Sequence, residues 1–155
     1  MPSDGTYSYT LQEINVVDTP SLPSAALVVK VDSLAPTTPA APDLENGSDT
    51  GNPTDNVTSV TSPTFDVAGV EANATVQLLR HGVVVSSKAN AGADGATIAI
   101  TDPGPLASGQ YTYTTRIYDV AGNVSGISPS LAVTIDTTAP PKPAASQPAA
   151  PDVLD

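Results

Sequence analysis

"GQYTYTTRIYD" occupies residues 109–119. Read with a period of two, Tyr111, Tyr113, Thr115 and Ile117 fall on one side, and Thr112, Thr114, Arg116 and Tyr118 on the other. That alternation predicts a strand with one buried face. The neighbouring segments follow the same rule. "SPTFDVAGV" (62–70) sets Phe65 and Val67 together. "ATVQLLRHG" (74–82) does so with Val76 and Leu78 ahead of a His81-Gly82 turn, and "VVVSS" (83–87) returns as the hairpin partner. "ATIAITD" (96–102) aligns Ile98 with Ile100, and "SLAVTID" (130–136) aligns Leu131, Val133 and Ile135. Short β-branched runs, broken by Gly, Pro and Asn about every ten residues, predict an all-β sandwich. "LASGQYTY" (106–113) adds a Gly turn before a Tyr that opens a late strand. This pattern suits a tyrosine corner, in which the hydroxyl bonds back to nearby backbone.

Composition narrows the function classes. The 155 residues carry sixteen acids against five bases, a formal charge of −11. Such a surface repels nucleic acid and anionic membrane. There is no Cys, so neither a disulfide nor a thiolate metal site is available. No apolar run approaches the ~20 residues of a membrane-spanning helix, so no membrane insertion is expected. The opening "MPSDGTYSYT" lacks the basic and apolar segments of a signal peptide. The chain is therefore expected either to stay inside the cell or to belong to a protein exported another way.

Sliding the chain against itself by 104 positions reveals a repeat. Gly5, Tyr7, Tyr9 and Thr10 land on Gly109, Tyr111, Tyr113 and Thr114, and Leu27, Val29, Asp32, Ala35 and Pro36 land on Leu131, Val133, Asp136, Ala139 and Pro140. Over residues 5–36 against 109–140, twelve of thirty-two pairs are identical without a gap. "AAPDL" (40–44) returns as "AAPDVL" (149–154) after a longer linker. The expected organisation is a tandem array with a unit of about one hundred residues. Residues 1–40 hold the last strands of a preceding unit plus linker, residues 41–140 a complete sandwich, and residues 141–155 a Pro/Ala-rich linker and the start of a further unit. A two-stranded remnant is marginal alone. It is expected to pack on neighbouring repeats of the same chain, exchange strands, or dimerise.

"APDLENGSDTGNPTDNVTSVTSPTFDV" (41–67) and "YDVAGNVSGISPSLAVTIDTTAP" (118–140) resemble the bacterial immunoglobulin-like repeats of giant surface adhesins, the type I-secreted, repeats-in-toxin and biofilm-associated proteins. The resemblance rests on the "SDTG…TDN" loop, the "D-x-A-G-N" turn and the "V-x-I-D-T-T-A-P" exit. It implies an extracellular extender at the bacterial surface, stiffened by calcium where repeats meet.

The residues offer donors for such an ion independently. Calcium takes six to eight oxygens from carboxylates, carbonyls and water. Asp32 precedes a short linker, and Asp43, Asp49 and Asp55 open the next unit, so these acids are expected to crowd one junction. Asp136 repeats Asp32 at the following junction, with Asp152 as the counterpart of Asp43, and Asp119 with Asn123 brackets the "DVAGN" turn. Asp, Asn and Gly also make good turns with no metal. In the partial unit Asn15 and Asp18 replace Asp119 and Gly122, which puts a site at that turn in doubt.

Catalytic constellations are poor. The single His81 stands beside Gly82 in a turn, with no second His and no Cys for zinc. "AGADGA" (91–96) lacks the Lys and the following helix of a phosphate loop. No enzyme is expected. The alternatives to an extender are a module binding glycan or host protein, and an accessory sandwich of a secreted enzyme. A glycan site usually needs an exposed aromatic platform, for which only Tyr9 and Tyr118 remain, since the chain has no Trp.

Overall fold

The computed structural model describes residues 2–143, so the expected start of a further unit, with Asp152, lies outside the described residues. All ten elements among them are strands: β1 Gly5–Tyr9, β2 Leu27–Val31, β3 Asp43–Leu44, β4 Val57–Thr58, β5 Thr64–Val70, β6 Thr75–Arg80, β7 Val83–Ala89, β8 Ala96–Thr101, β9 Gly109–Tyr118 and β10 Leu131–Ile135. Residues 43–135 form two facing sheets, β3-β5-β8 and β4-β10-β9-β6-β7. Every pair in them is antiparallel except β4 with β10. The chain crosses from the first sheet to the second between β3 and β4, then returns to the first at β5.

The alternation legible in the sequence is what fills the space between the sheets. Leu44, Phe65, Val67, Val70 and Ile100 come from one side; Val76, Leu78, Tyr113, Ile117, Val133 and Ile135 come from the other. Full burial of such a side chain contributes roughly 1.5–3 kcal/mol. Phe65 and Tyr113 meet across the layers with ring centroids 4.3 Å apart and planes tilted by 42°, a favourable aromatic arrangement. Strict alternation fails twice: a register shift between Leu78 and Leu79 lets both consecutive leucines be buried, and one between Val67 and Val70 leaves Ala68 and Gly69 exposed between two buried valines. The His81-Gly82 turn forms as expected. Both residues have positive φ, 49° and 79°, in a two-residue loop between Arg80 and Val83, the geometry of a type I′ hairpin.

One buried charge ties the two sheets together. Asp102, which follows β8, is fully buried. Its carboxylate accepts hydrogen bonds from Arg80 Nη1 at 2.7 and 2.9 Å, from the Tyr113 hydroxyl at 2.9 Å and from the Gly104 N–H at 3.1 Å. The tyrosine corner is made by the neighbouring Tyr111, whose hydroxyl donates to the Ala107 carbonyl at 3.1 Å.

The β1–β2 hairpin repeats β9–β10 bond for bond. Gly5 pairs with Val31 and Tyr9 with Leu27, as Gly109 pairs with Ile135 and Tyr113 with Leu131. Tyr7 donates to the Ser3 carbonyl as Tyr111 does to Ala107. Beyond the ladder, serine hydroxyls continue the pairing. Ser128 and Ser125 accept the N–H groups of Thr115 and Ile117, and Ser24 and Ser21 accept those of Leu11 and Glu13. Each serine passes its own proton to the carbonyl one residue on. The exits correspond as well: Ser33 N–H bonds to Asp4, and Thr137 N–H to Ser108.

Two outcomes follow for the Asp102 clamp. Replacing Asp102 with Ala strands the Tyr113 hydroxyl and the Gly104 N–H, and is expected to lower unfolding stability by about 3 kcal/mol in urea titrations. Burial, then the hydrogen bond to Asp102, pushes the Tyr113 hydroxyl well above its ordinary value of 10.0. The stability gained by keeping Tyr113 neutral is therefore fully present below pH 10 and is lost as pH climbs from there towards the raised value. In a phenolate absorbance titration, Tyr113 is expected to ionise only as the chain unfolds, and Tyr113→Phe to remove that late step.

Candidate functional site

The junction between hairpin and sandwich is built from a turn, an amide and a run of prolines. Asp119 closes the "DVAGN" turn: its Oδ1 accepts the N–H groups of Ala121 and Asn123, both at 2.8 Å, and its Oδ2 accepts the Asn123 side-chain amide at 2.8 Å. The Asn123 amide leads in holding the Asp119 carboxyl below its ordinary range. The same amide nitrogen donates at 3.0 Å to the backbone carbonyl of Asp32. One side chain thus connects the sandwich to the exit of the preceding hairpin.

The linker after Asp32 then lies along the sandwich. Pro36, Pro39 and Pro42 are buried, while Thr37, Thr38, Ala40 and Ala41 between them are exposed. A spacing of three matches one edge of a polyproline helix, three residues per turn. Thr38 stands over Gly126 so closely that a Cβ there would collide with its hydroxyl. The linker expected after Asp32 is rich in Pro and Thr. Its third-residue periodicity, present in "PTTPAAP" (36–42), was the available sign that one edge docks.

A second polar centre lies in the crossover between β3 and β4. Asp49 is 4% exposed. Its Oδ2 has one long contact, 3.4 Å from the Asn56 N–H, and its Oδ1 has no hydrogen-bond partner. The ion pairs among the described residues are Lys30–Asp32 and Arg80–Asp102, so neither reaches Asp49. A buried carboxylate with a bare oxygen is costly unless a cation or donor meets it. Around it, Ser48 accepts the Thr64 N–H at 2.9 Å, and Asn56, with positive φ, accepts the Thr134 N–H through its carbonyl at 2.9 Å.

The acids expected to crowd one junction are dispersed instead. Asp32 meets Asn123 and the Asp119 turn. Its Oδ2 lies 3.4 Å from Lys30 Nζ. Asp43 lies on β3, in register with Asp66 of β5, a like-charge pair. Asp55 is exposed and caps the Val57 N–H at 3.0 Å. Asp136 lies past the other end of β9, where the Thr138 N–H and hydroxyl hold its carboxyl below the ordinary range. Among the described residues, no three His, Cys, Asp or Glu side chains converge on one point. The physical reason is the crossover: pairing of β3 with β5 carries Asp43 onto a sheet, while Asp49 and Asp55 go to the loop between sheets. The Asp102–Arg80–Tyr113 cluster was not foreseen. Its only sequence sign is an Asp closing the alternating "ATIAITD", a pattern shared by the exposed Asp136.

A two-sheet sandwich with a tyrosine corner defines an immunoglobulin-like module. The bacterial Ig-like domain family model matches residues 35–137, and the chain belongs to that family. It is 36% identical over 146 residues to exoglucanase B of Cellulomonas fimi, a match covering 89% of this chain. The chain spans only 12% of that relative's length. Among solved structures it is similar to a biofilm associated protein BSP domain, with a TM-score of 0.43, 18% identity, and coverage of 89% of this chain and 20% of that one. It is also similar to the human OSCAR ligand-binding domain, with a TM-score of 0.37, 21% identity, and coverage of 81% and 63%.

Asn123→Ala removes the link between Asp119 and Asp32. Backbone ¹⁵N relaxation is expected to show residues 5–31 reorienting faster than residues 43–135, while the sandwich loses about 1 kcal/mol or less. Gly126→Val, which forces Thr38 away, is expected to have the same effect on the hairpin.

Proposed function

We propose that the chain is a non-catalytic spacer of a bacterial extracellular protein, a structural extender segment that holds a functional part away from its anchor. The observation that carries this reading is the docked junction. A free Pro-rich linker is a semi-rigid spacer that sets distance but not the direction of its neighbours. Here three buried prolines and the Asn123–Asp32 hydrogen bond set the direction in which one element follows the next. The accessible aromatic surface is thin, Tyr9 being the one aromatic more than half exposed among the described residues, which favours spacing over glycan binding. A cell-surface adhesin is the parent proposed first, secreted and displayed outside the cell.

Calcium belongs to this proposal as the agent of stiffness. The donor set fits a hard cation best at Asp49, whose bare, buried oxygen sits in a loop with Asp55, Asn52 and Asn56. Asp32 with Asp119 and Asp136 are lesser candidates, because donors already meet their carboxylates, and the Asp43–Asp66 pair lies on paired strands with Asp43 exposed. Calcium there would neutralise the buried charge and restrain the loop between the sheets. Extracellular modules bind calcium at about 10⁻⁴–10⁻³ M, so 10 mM calcium is expected to add about 1–3 kcal/mol of unfolding stability over chelator. Asp49→Asn is expected to abolish that increment and, in chelator, to leave the protein at least as stable as the parent. Equal stability with calcium and with chelator would remove the metal from the reading.

The exoglucanase relative favours a second parent, a secreted enzyme in which this sandwich is an accessory module. The two readings differ in what the isolated chain does with insoluble glucan. Depletion from solution by the polysaccharide supports an accessory binding role; its absence, together with a calcium-dependent maximum dimension in small-angle scattering, supports the extender.

A further inference from the structure

We infer that the face of hairpin β1–β2 carrying Tyr7, Tyr9, Leu27, Val29 and Val31 is the inner face of a second sandwich, and that its occupant is a sheet built like β3-β5-β8, supplied by polypeptide joined ahead of residue 1. The inference does not depend on calcium or on which parent the module serves.

The argument is one of position against burial. Every pair in β1–β2 has its counterpart in β9–β10 after a shift of 104, and the tyrosine corner, serine bonds and exit latch are shared. Only the cover differs. Tyr9 is 51% exposed where Tyr113 is 0%, and Val29 is 37% exposed where Val133 is 0%. Leu27 is 65% exposed, and Leu131 packs against the core. A two-stranded ribbon presenting that much apolar area on one side is marginal in water. In β9–β10 the same face is closed by Phe65, Val67 and Ile100 from the opposite sheet.

Two residues specify the occupant further. Tyr113 gives its hydroxyl to the buried Asp102, so the cover of Tyr9 needs an acceptor, most simply a carboxylate at the corresponding place. Glu13 stands where the sandwich has the buried Ile117, so the cover also needs a hydrogen-bond donor opposite that end of the strand. A second copy of this chain is a poor occupant. Its β3-β5-β8 sheet already closes its own core, and two chains of charge −11 repel.

The test joins residues 35–106 of this chain directly ahead of Ser3, since Ser3 is the counterpart of Ala107. This supplies the cover, including its own copies of Phe65 and Asp102, in frame with the hairpin. Amide exchange at Tyr7, Tyr9 and Val29 is expected to slow by at least 100-fold relative to the unfused chain, and Val29→Asp in the fusion to abolish the gain. A second fusion carries Glu13→Ile, which restores the apolar residue and guards against failure of the first through that buried acid alone. If neither fusion slows exchange, the inference is overturned. Concentration-dependent dimers of the unfused chain, with Tyr9 protected in them, would overturn it in favour of a second copy.

Discussion

The sandwich depends on a carboxylate kept out of water. At Asp102 the three-stranded sheet holds the five-stranded one by buried polar contacts, through Arg80 of β6 and Tyr113 of β9. Apolar contact alone favours burial without choosing a register. A buried charge chooses one, because displacement of either sheet would leave it unpaired. Gly104 completes the arrangement. Its N–H donates to Asp102, its φ is +47°, and a Cβ would run into the Thr61 carbonyl. The charge therefore also fixes the path of the loop that leads from β8 to the tyrosine corner and β9.

A different economy governs the loop between β9 and β10. There the ladder gives way to serine hydroxyls, each accepting from a strand N–H and donating to the next carbonyl. A hydroxyl can do both, so the strand keeps its hydrogen bonds while the facing segment peels away towards the Asp119 turn. The hairpin ahead of the sandwich uses Ser21 and Ser24 in the same way. That likeness holds despite Leu11 and Glu13 standing where the sandwich has Thr115 and Ile117. Backbone satisfaction sets this local geometry, and the side chains facing outward or inward vary around it.

The contrast between hairpin and sandwich separates what a ribbon can do alone from what a second sheet adds. Turn closure, strand register and corner hydrogen bonds are local and arise in both. Burial of Tyr113, Val133 and Ile135 arises only where β3-β5-β8 lies across them. The docked prolines are intermediate: a polyproline edge is a local property, but its burial needs the surface beside Gly126.

Periodicity by itself determined strands β5 to β10, the inward residues Phe65, Val67, Val76, Leu78, Ile100, Tyr113, Val133 and Ile135, and the His81-Gly82 turn, because a strand's two-residue period writes its buried face directly into the sequence, whereas the two-residue β3 and β4 are too short to show one. Self-comparison determined that Gly5–Pro36 and Gly109–Pro140 share one hairpin plan. Only the tertiary structure decided which acids matter together. Asp49 is buried and Asp55 exposed six residues later, Asp102 is a clamp while the similarly placed Asp136 is not, and Asp32 meets Asn123 rather than Asp43. An acid in a turn carries no periodic signal. Its neighbours are set by which sheet each flanking strand joins, a choice made by pairings between residues distant in the chain.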